Sequence, residues 1–208
     1  RDLAVKLELV ANNNLLIFTN AATDPFANNS NDGDVNTGVI DDIIGSANYD
    51  IGHVVGTGGG GLAVLSAVCN STYKGDGVTG SSTPNNDIFY IDYVAHEIGH
   101  QFGAEHSFNG TGGACSGNRV FNSAYEVGSG ATIMSYAGLC GSENLQSHSD
   151  AFFHAGSIEQ INNFVNSGSG QNCGTTTGTE NNTAIVDAGA DYVIPANDDA
   201  SKSVDKIL

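Results

Sequence analysis

Eleven residues, His96-Glu97-Ile98-Gly99-His100-Gln101-Phe102-Gly103-Ala104-Glu105-His106, constrain this chain more than any other stretch. From Asp87 to Gly103, Ile88, Ile91, Ala95, Ile98 and Phe102 recur at steps of three and four, the spacing that gives a helix one buried stripe. On that helix His96 and His100 lie four apart and share a face, so both imidazoles can reach one ion. Gly103 accepts the left-handed geometry that ends a helix, and the turn it permits can bring back His106 as a third ligand. Three neutral imidazoles with a fourth position open is the catalytic arrangement for zinc, whereas structural zinc sites close with four protein ligands. Glu97, one position on from His96, is placed to take a proton from a water held at such an ion and pass it to a leaving amine.

The remaining chain reads as short elements among loops, as 28 glycines and many Asn, Ser and Thr imply. Residues 3–10 alternate apolar and polar in their second half and predict a half-buried strand, with Leu15–Phe18 as a short continuation. Residues 20–36 read as loop. Within it Asp32, Asp34 and Asn36 alternate around Gly33, a spacing of side-chain oxygens that can hold calcium, set against a solvated loop using Asx turns. Thr37 is a cap for a short helix through Ile44, closed by Gly45. Strands are expected at 50–55 and 62–69, on either side of the glycine run 56–61. That run lacks the Lys-Ser/Thr and the following helix of a phosphate loop. Residues 75–86 read as turn, with Pro84 placed to start the motif helix. Residues 107–130 read as loop, and Ile133–Tyr136 as a tight apolar island. Ser157 to Gln160 forms a capping box for a helix through Val165 that Gly168 closes. Residues 174–183 read as linker, and 184–195 resemble the opening strands of an immunoglobulin-like or polycystic-kidney-type module.

A net charge of −17 with only six Lys and Arg argues against nucleic acid and anionic membrane surfaces as partners. No run of about 18 apolar residues is present to span a bilayer. At 208 residues and 39% apolar, the chain suffices for one ordinary domain and a remnant. Cys69, Cys115, Cys140 and Cys173 contain no C-x-x-C pair and allow three pairings, and two structural disulfides in an exported protein are expected. His53, His148 and His154 read as surface or core histidines, and Glu105 as a solvated loop carboxylate.

The stretch His96–His106 resembles the zinc motif of metzincin peptidases, and Ile133-Met134-Ser135-Tyr136 resembles their Met-turn. The resemblance implies an α+β, zincin-like fold with an α/β-type upper part around a twisted mixed sheet, an active-site helix and an irregular lower part. It implies His96, His100 and His106 as zinc ligands, Glu97 as general base and acid, and Met134 as an apolar base beneath the metal. Tyr136 matches a tyrosine that stabilises the tetrahedral intermediate, the alternative being a wall residue of the cleft. Gly61, Leu62, Ala63 and Val64, with Cys69-Asn70, are similar to the edge-strand segment of reprolysin (adamalysin/ADAM-like) enzymes, where a peptide adds antiparallel. The same likeness implies disulfides Cys69–Cys173 and Cys115–Cys140. Ser107 stands where typical reprolysins carry Asp, so a bacterial reprolysin-like branch fits better. The family's first strand and long helix normally precede the strand placed at 3–10, so Arg1-Asp2-Leu3 is expected to open mid-domain. Residues 1–174 then form an N-terminally incomplete catalytic domain, and 175–208 a linker and the start of the further module. The implied activity is that of a secreted, monomeric zinc endopeptidase acting on proteins or peptides. The competing class is a non-catalytic zinc-containing binding or adhesion fragment.

Overall fold

A computed structural model describes residues 3, 5–178, 187, 189 and 190. The chain divides into two compact units, Arg1–Thr175 and Thr176–Leu208. Apart from three single positions, the expected module strands at 184–195 lie outside the described residues.

The first unit is α+β and built on a small mixed sheet of order β1-β3-β2. Strand β1 (Val54–Gly56) runs parallel to β3 (Gly77–Gly80), and β2 (Gly60–Ala63) runs antiparallel to it, so that Val78 faces Val54 on one side and Leu62 on the other. The central strand lies inside the stretch expected to be turn. All four of its residues are buried. A Cβ at Gly77 would meet Gln101 Oε1 and His53 Nδ1, each at 2.6 Å, and one at Gly80 would meet the carbonyl carbon of Gly58 at 2.7 Å. Glycine occurs here because the motif helix and a neighbouring loop crowd the strand. Strands β1 and β2 are shorter than expected, because turns take over after Val64 and irregular chain precedes Val54.

Among the described residues of 3–10 the expected strand does not form, and Asn13–Leu16 is a 3-10 turn rather than its continuation. The hydrogen-bonded ladder ends at β1, leaving this segment without a strand partner. Leu3 and Val5 pack on the core, whereas Leu7 and Leu9 are exposed. A cavity of about 780 Å³ is lined by Leu7, Leu9 and Phe18 together with Ile40 and Val54.

Helix α1 (Asp32–Ile43) starts well before Thr37. The Asp32 carboxylate accepts the N–H groups of Ala27 at 2.8 Å and Asn29 at 3.0 Å. Asp32 and Asp34 also place negative charge at the positive end of the helix. Asn36 donates to the Gly75 carbonyl at 2.7 Å. Asp32 and Asn36 are thus committed to bonds within the fold and Asp34 points outward from a helix, so calcium at this position is not supported.

The motif helix begins at Asp87, widens into a π-helical segment over Phe89–Ala95 and continues as α2 (His96–Gln101). The wider turns shift the helical phase, and Phe89 is buried in place of Ile88. Phe102 joins Val68, Ala104, Ile133, Met134, Ile161 and Phe164 in the core. Each large apolar side chain buried there contributes about 1.5–3 kcal/mol. Helix α3 (Ala155–Ser167) supplies Ile161 and Phe164. Its cap is His154, whose Nδ1 accepts from the Gly156 N–H at 3.0 Å, while the expected cap Ser157 is buried inside the first turn.

Between α2 and α3 the chain is irregular, with 3-10 turns at Gly113–Cys115, Phe121–Ser123 and Gly141–Glu143. A disulfide joins Cys115 to Cys140, and another joins Cys69 to Cys173.

Candidate metal centre

Helix α2 presents His96 and His100 one turn apart, and Gly103, at φ +88°, reverses the chain so that His106 returns to them. The ligating atoms of the three rings lie within 4.8 Å of one another. Each ring is pinned through its other nitrogen. Nδ1 of His96 donates to the Ile133 carbonyl at 2.7 Å, that of His100 to Ala104 at 2.6 Å, and that of His106 to Asn118 at 2.7 Å. With the proton on Nδ1, Nε2 of every ring is a bare lone pair. The Nε2 atoms of His100 and His106 stand 3.2 Å apart, two acceptors facing each other with no proton to share. That juxtaposition is repulsive unless a cation is held between them, and three imidazoles are a donor set that fits zinc. Burial, then the neighbouring imidazoles, hold His96 well below its usual range and lower His100 to about 4. Burial lowers His106 as well. At neutral pH all three imidazoles are uncharged and available as ligands.

The surroundings fix this geometry. Met134 is fully buried with its sulfur against Gly99, where a Cβ would lie 2.5 Å from Sδ. Gln101, also fully buried, donates to the Gly52 carbonyl at 2.8 Å and accepts from His53 Nδ1 at 2.9 Å. His53 Nε2 reaches Thr79 on β3, so this histidine ties the helix to the sheet. Ser107, next to the third ligand, donates its N–H to the Met134 carbonyl at 3.0 Å and its hydroxyl to the Glu126 carboxylate. Glu126 also accepts from the N–H groups of Ala131 at 2.8 Å and Thr132 at 3.1 Å, and from the Thr132 hydroxyl at 2.6 Å. It clasps the third-ligand loop to the Met134 turn. Nothing in the residue spacing marked Glu126, Asn118, Gln101 or His53 for these roles, because each acts across a long sequence separation.

Glu97 is 8% exposed. Burial raises its carboxyl to about 8, and among the described residues no hydrogen-bond donor lowers it again. The Tyr136 ring lies 4.6 Å from that of His106 and 5.7 Å from that of His96. Burial, and then the charge of Glu97, raises its hydroxyl. Gly61, Leu62 and Ala63 lie in β2 at the sheet edge, and Val64 follows immediately with its N–H on the Asp76 carbonyl at 2.9 Å. His148 pairs with Asp92 at 3.1 Å, His154 stacks on Tyr125, and Glu105 accepts from the Ser123 hydroxyl at 3.2 Å. Among the described residues, the histidine triad is the one gathering of potential ligands suited to a metal.

A buried carboxylate without a donor, set beside three imidazoles whose lone pairs converge, is the arrangement of a metal-dependent hydrolase. The chain belongs to the Metallo-peptidase family M12B Reprolysin-like, whose family model matches residues 1–165. Among curated proteins, none matches it.

Proposed function

We propose that this chain is a zinc endopeptidase that cleaves proteins or peptides, with His96, His100 and His106 as the ligands. The observation that carries the reading is the convergence of three Nε2 atoms beside a buried Glu97. Zinc bound there supplies Lewis acidity, polarising a carbonyl and making water acidic. Glu97 takes the proton of the attacking water and returns it to the leaving amine. Burial raises the Glu97 carboxyl, and a cation held by the three imidazoles would favour its ionised, proton-accepting form. The Tyr136 hydroxyl donates to the oxygen on which charge develops. Met134 forms the apolar floor, and Gly61 to Val64 offer main-chain groups to an extended substrate.

The catalytic domain occupies residues 1–174, and 175–208 form a linker and the start of a further module. Two disulfides favour an oxidising, extracellular setting for a monomer, and no helix among the described residues is long and apolar enough to cross a membrane.

Glu97→Gln tests the mechanism, because it removes the base while leaving the three imidazoles. The variant is expected to bind zinc at the wild-type ratio and to lose about 10²–10⁴-fold in the rate of internal casein cleavage, read by mass spectrometry. Wild-type cleavage by Glu97→Gln sinks the mechanism. Zinc binding with no cleavage in either protein points to the non-catalytic binding fragment instead.

A further inference from the structure

Gly61 is where the edge strand meets the candidate base. It lies in β2 opposite Thr79. A Cβ built on it would overlap Glu97 Oε1 and lie 2.7 Å from Cγ and 2.8 Å from Cδ. Side chains do not pack that closely. The absent side chain therefore leaves a notch in the strand, and the arm of Glu97 lies in it.

The identity of the overlapping atoms decides what the notch does. The three nearest all belong to the Glu97 side chain, and none is backbone. Overlap with backbone, as at Gly80 against Gly58, would force the strand itself to shift. At Gly61 the group that has to yield is the Glu97 side chain from Cγ outward, so an added methyl displaces the carboxylate before it displaces the β2–β3 ladder.

We infer that Gly61 is a positioning residue for Glu97: its missing side chain sets the carboxylate in place beside the three histidines. This rests on the peptidase reading above and adds to it. Any residue at position 61 keeps main-chain groups that can pair with a peptide, whereas only glycine keeps the notch. Displacing a reacting group by about 1 Å can cost about 10²-fold in rate.

Gly61→Ala and Gly59→Ala together make the test. Gly59 lies two positions away in the same turn-and-strand segment and has nothing within 4 Å of its Cβ position. Wild type and both variants are compared for kcat and KM on a fluorogenic peptide, zinc stoichiometry and Tm. Gly61→Ala is expected to lose about 10²-fold in kcat with little change in KM, zinc content or Tm, while Gly59→Ala behaves as wild type. Unchanged kcat in Gly61→Ala overturns the inference, provided wild type cleaves. A loss of kcat matched by lost zinc or a lowered Tm overturns it too, since Gly61 is then a residue of the fold. A wild-type protein that cleaves no peptide overturns the peptidase reading, and this inference falls with it.

Discussion

Glycine does opposite things in this molecule according to what stands opposite its missing side chain. Gly99 lies in α2 between His96 and His100, and a Cβ there would sit 2.5 Å from Met134 Sδ and 3.2 Å from Phe153 Cε1. Gly38 lies exposed in α1 with nothing within 4 Å of its Cβ position. Alanine gains about 0.5–1 kcal/mol over glycine inside a helix, and forcing a methyl into a packed core costs about 1–3 kcal/mol. Met134 is adaptable but fully buried, and Phe153 also stands against Gly99, so a methyl there has to displace packed side chains. The packing term therefore wins at Gly99 and is absent at Gly38. Urea unfolding is expected to show Gly99→Ala less stable by about 1–2 kcal/mol and Gly38→Ala more stable by about 0.5–1 kcal/mol. Equal shifts of one sign would mean that helix propensity alone governs both positions.

The segment between α2 and α3 has almost no regular structure and is held by groups that accept several hydrogen bonds at once. Glu126 is the clearest. Burial alone would raise its carboxyl, but bonds from the Ser107 and Thr132 hydroxyls and the Ala131 and Thr132 N–H groups outweigh burial and hold it below the ordinary 4.5. A carboxyl whose pKa is lower in the folded than in the unfolded state adds stability that is fully present above the unfolded value. It loses that contribution as pH falls from about 4.5 through the folded-state pKa. Glu126→Gln is expected to cost about 1–3 kcal/mol at pH 7, because the amide turns a donor toward donors. Its deficit should shrink as pH drops below about 4.5, and urea unfolding across pH measures this. A deficit that is flat with pH would place the loss in packing.

This also explains what could be read from the residues in order. The convergence of His96, His100 and His106 is legible in the sequence because a helix turns a spacing of four into a shared face and Gly103 signals the reversal. The central strand is not, because Gly77 and Gly80 are glycines on account of Gln101, His53 and Gly58, which lie far away in sequence. The extended start of the chain misled in the other direction. The second half of residues 3–10 alternates as a strand should, but alternation has no force without a neighbouring strand to pair with. The first turn of α1 is hard to see in the sequence because Asp32 and Asp34 resemble loop residues, although acidic residues favour the first turn of a helix.

The two disulfides act on different lengths of the whole molecule. Cys69 and Cys173 are 104 residues apart, and the loop they close contains β3, α2, all three ligands, the Met134 turn and α3. Cys115 and Cys140 are 25 apart and pack with Phe108 and Tyr136 beside the third ligand. In the chain-entropy account, closing the longer loop removes more freedom from the unfolded chain, by about 1 kcal/mol, and each bond is worth about 2–4 kcal/mol. A cross-link that works on the unfolded state should also enlarge that state when removed. The double variant Cys69→Ala with Cys173→Ala is therefore expected to lose about 2–4 kcal/mol in urea unfolding with an increased m value. It should still bind zinc with wild-type affinity, since that bond packs against the Val68–Phe164 core and not in the cluster of Phe108 and Tyr136 beside His106. The double variant Cys115→Ala with Cys140→Ala is expected to lose somewhat less global stability, yet to weaken zinc binding, because its bond packs against the residues flanking His106. If removing the long-range bond weakens zinc binding more than removing the local one, then the metal centre is held by closure of the whole domain and not by its own loop.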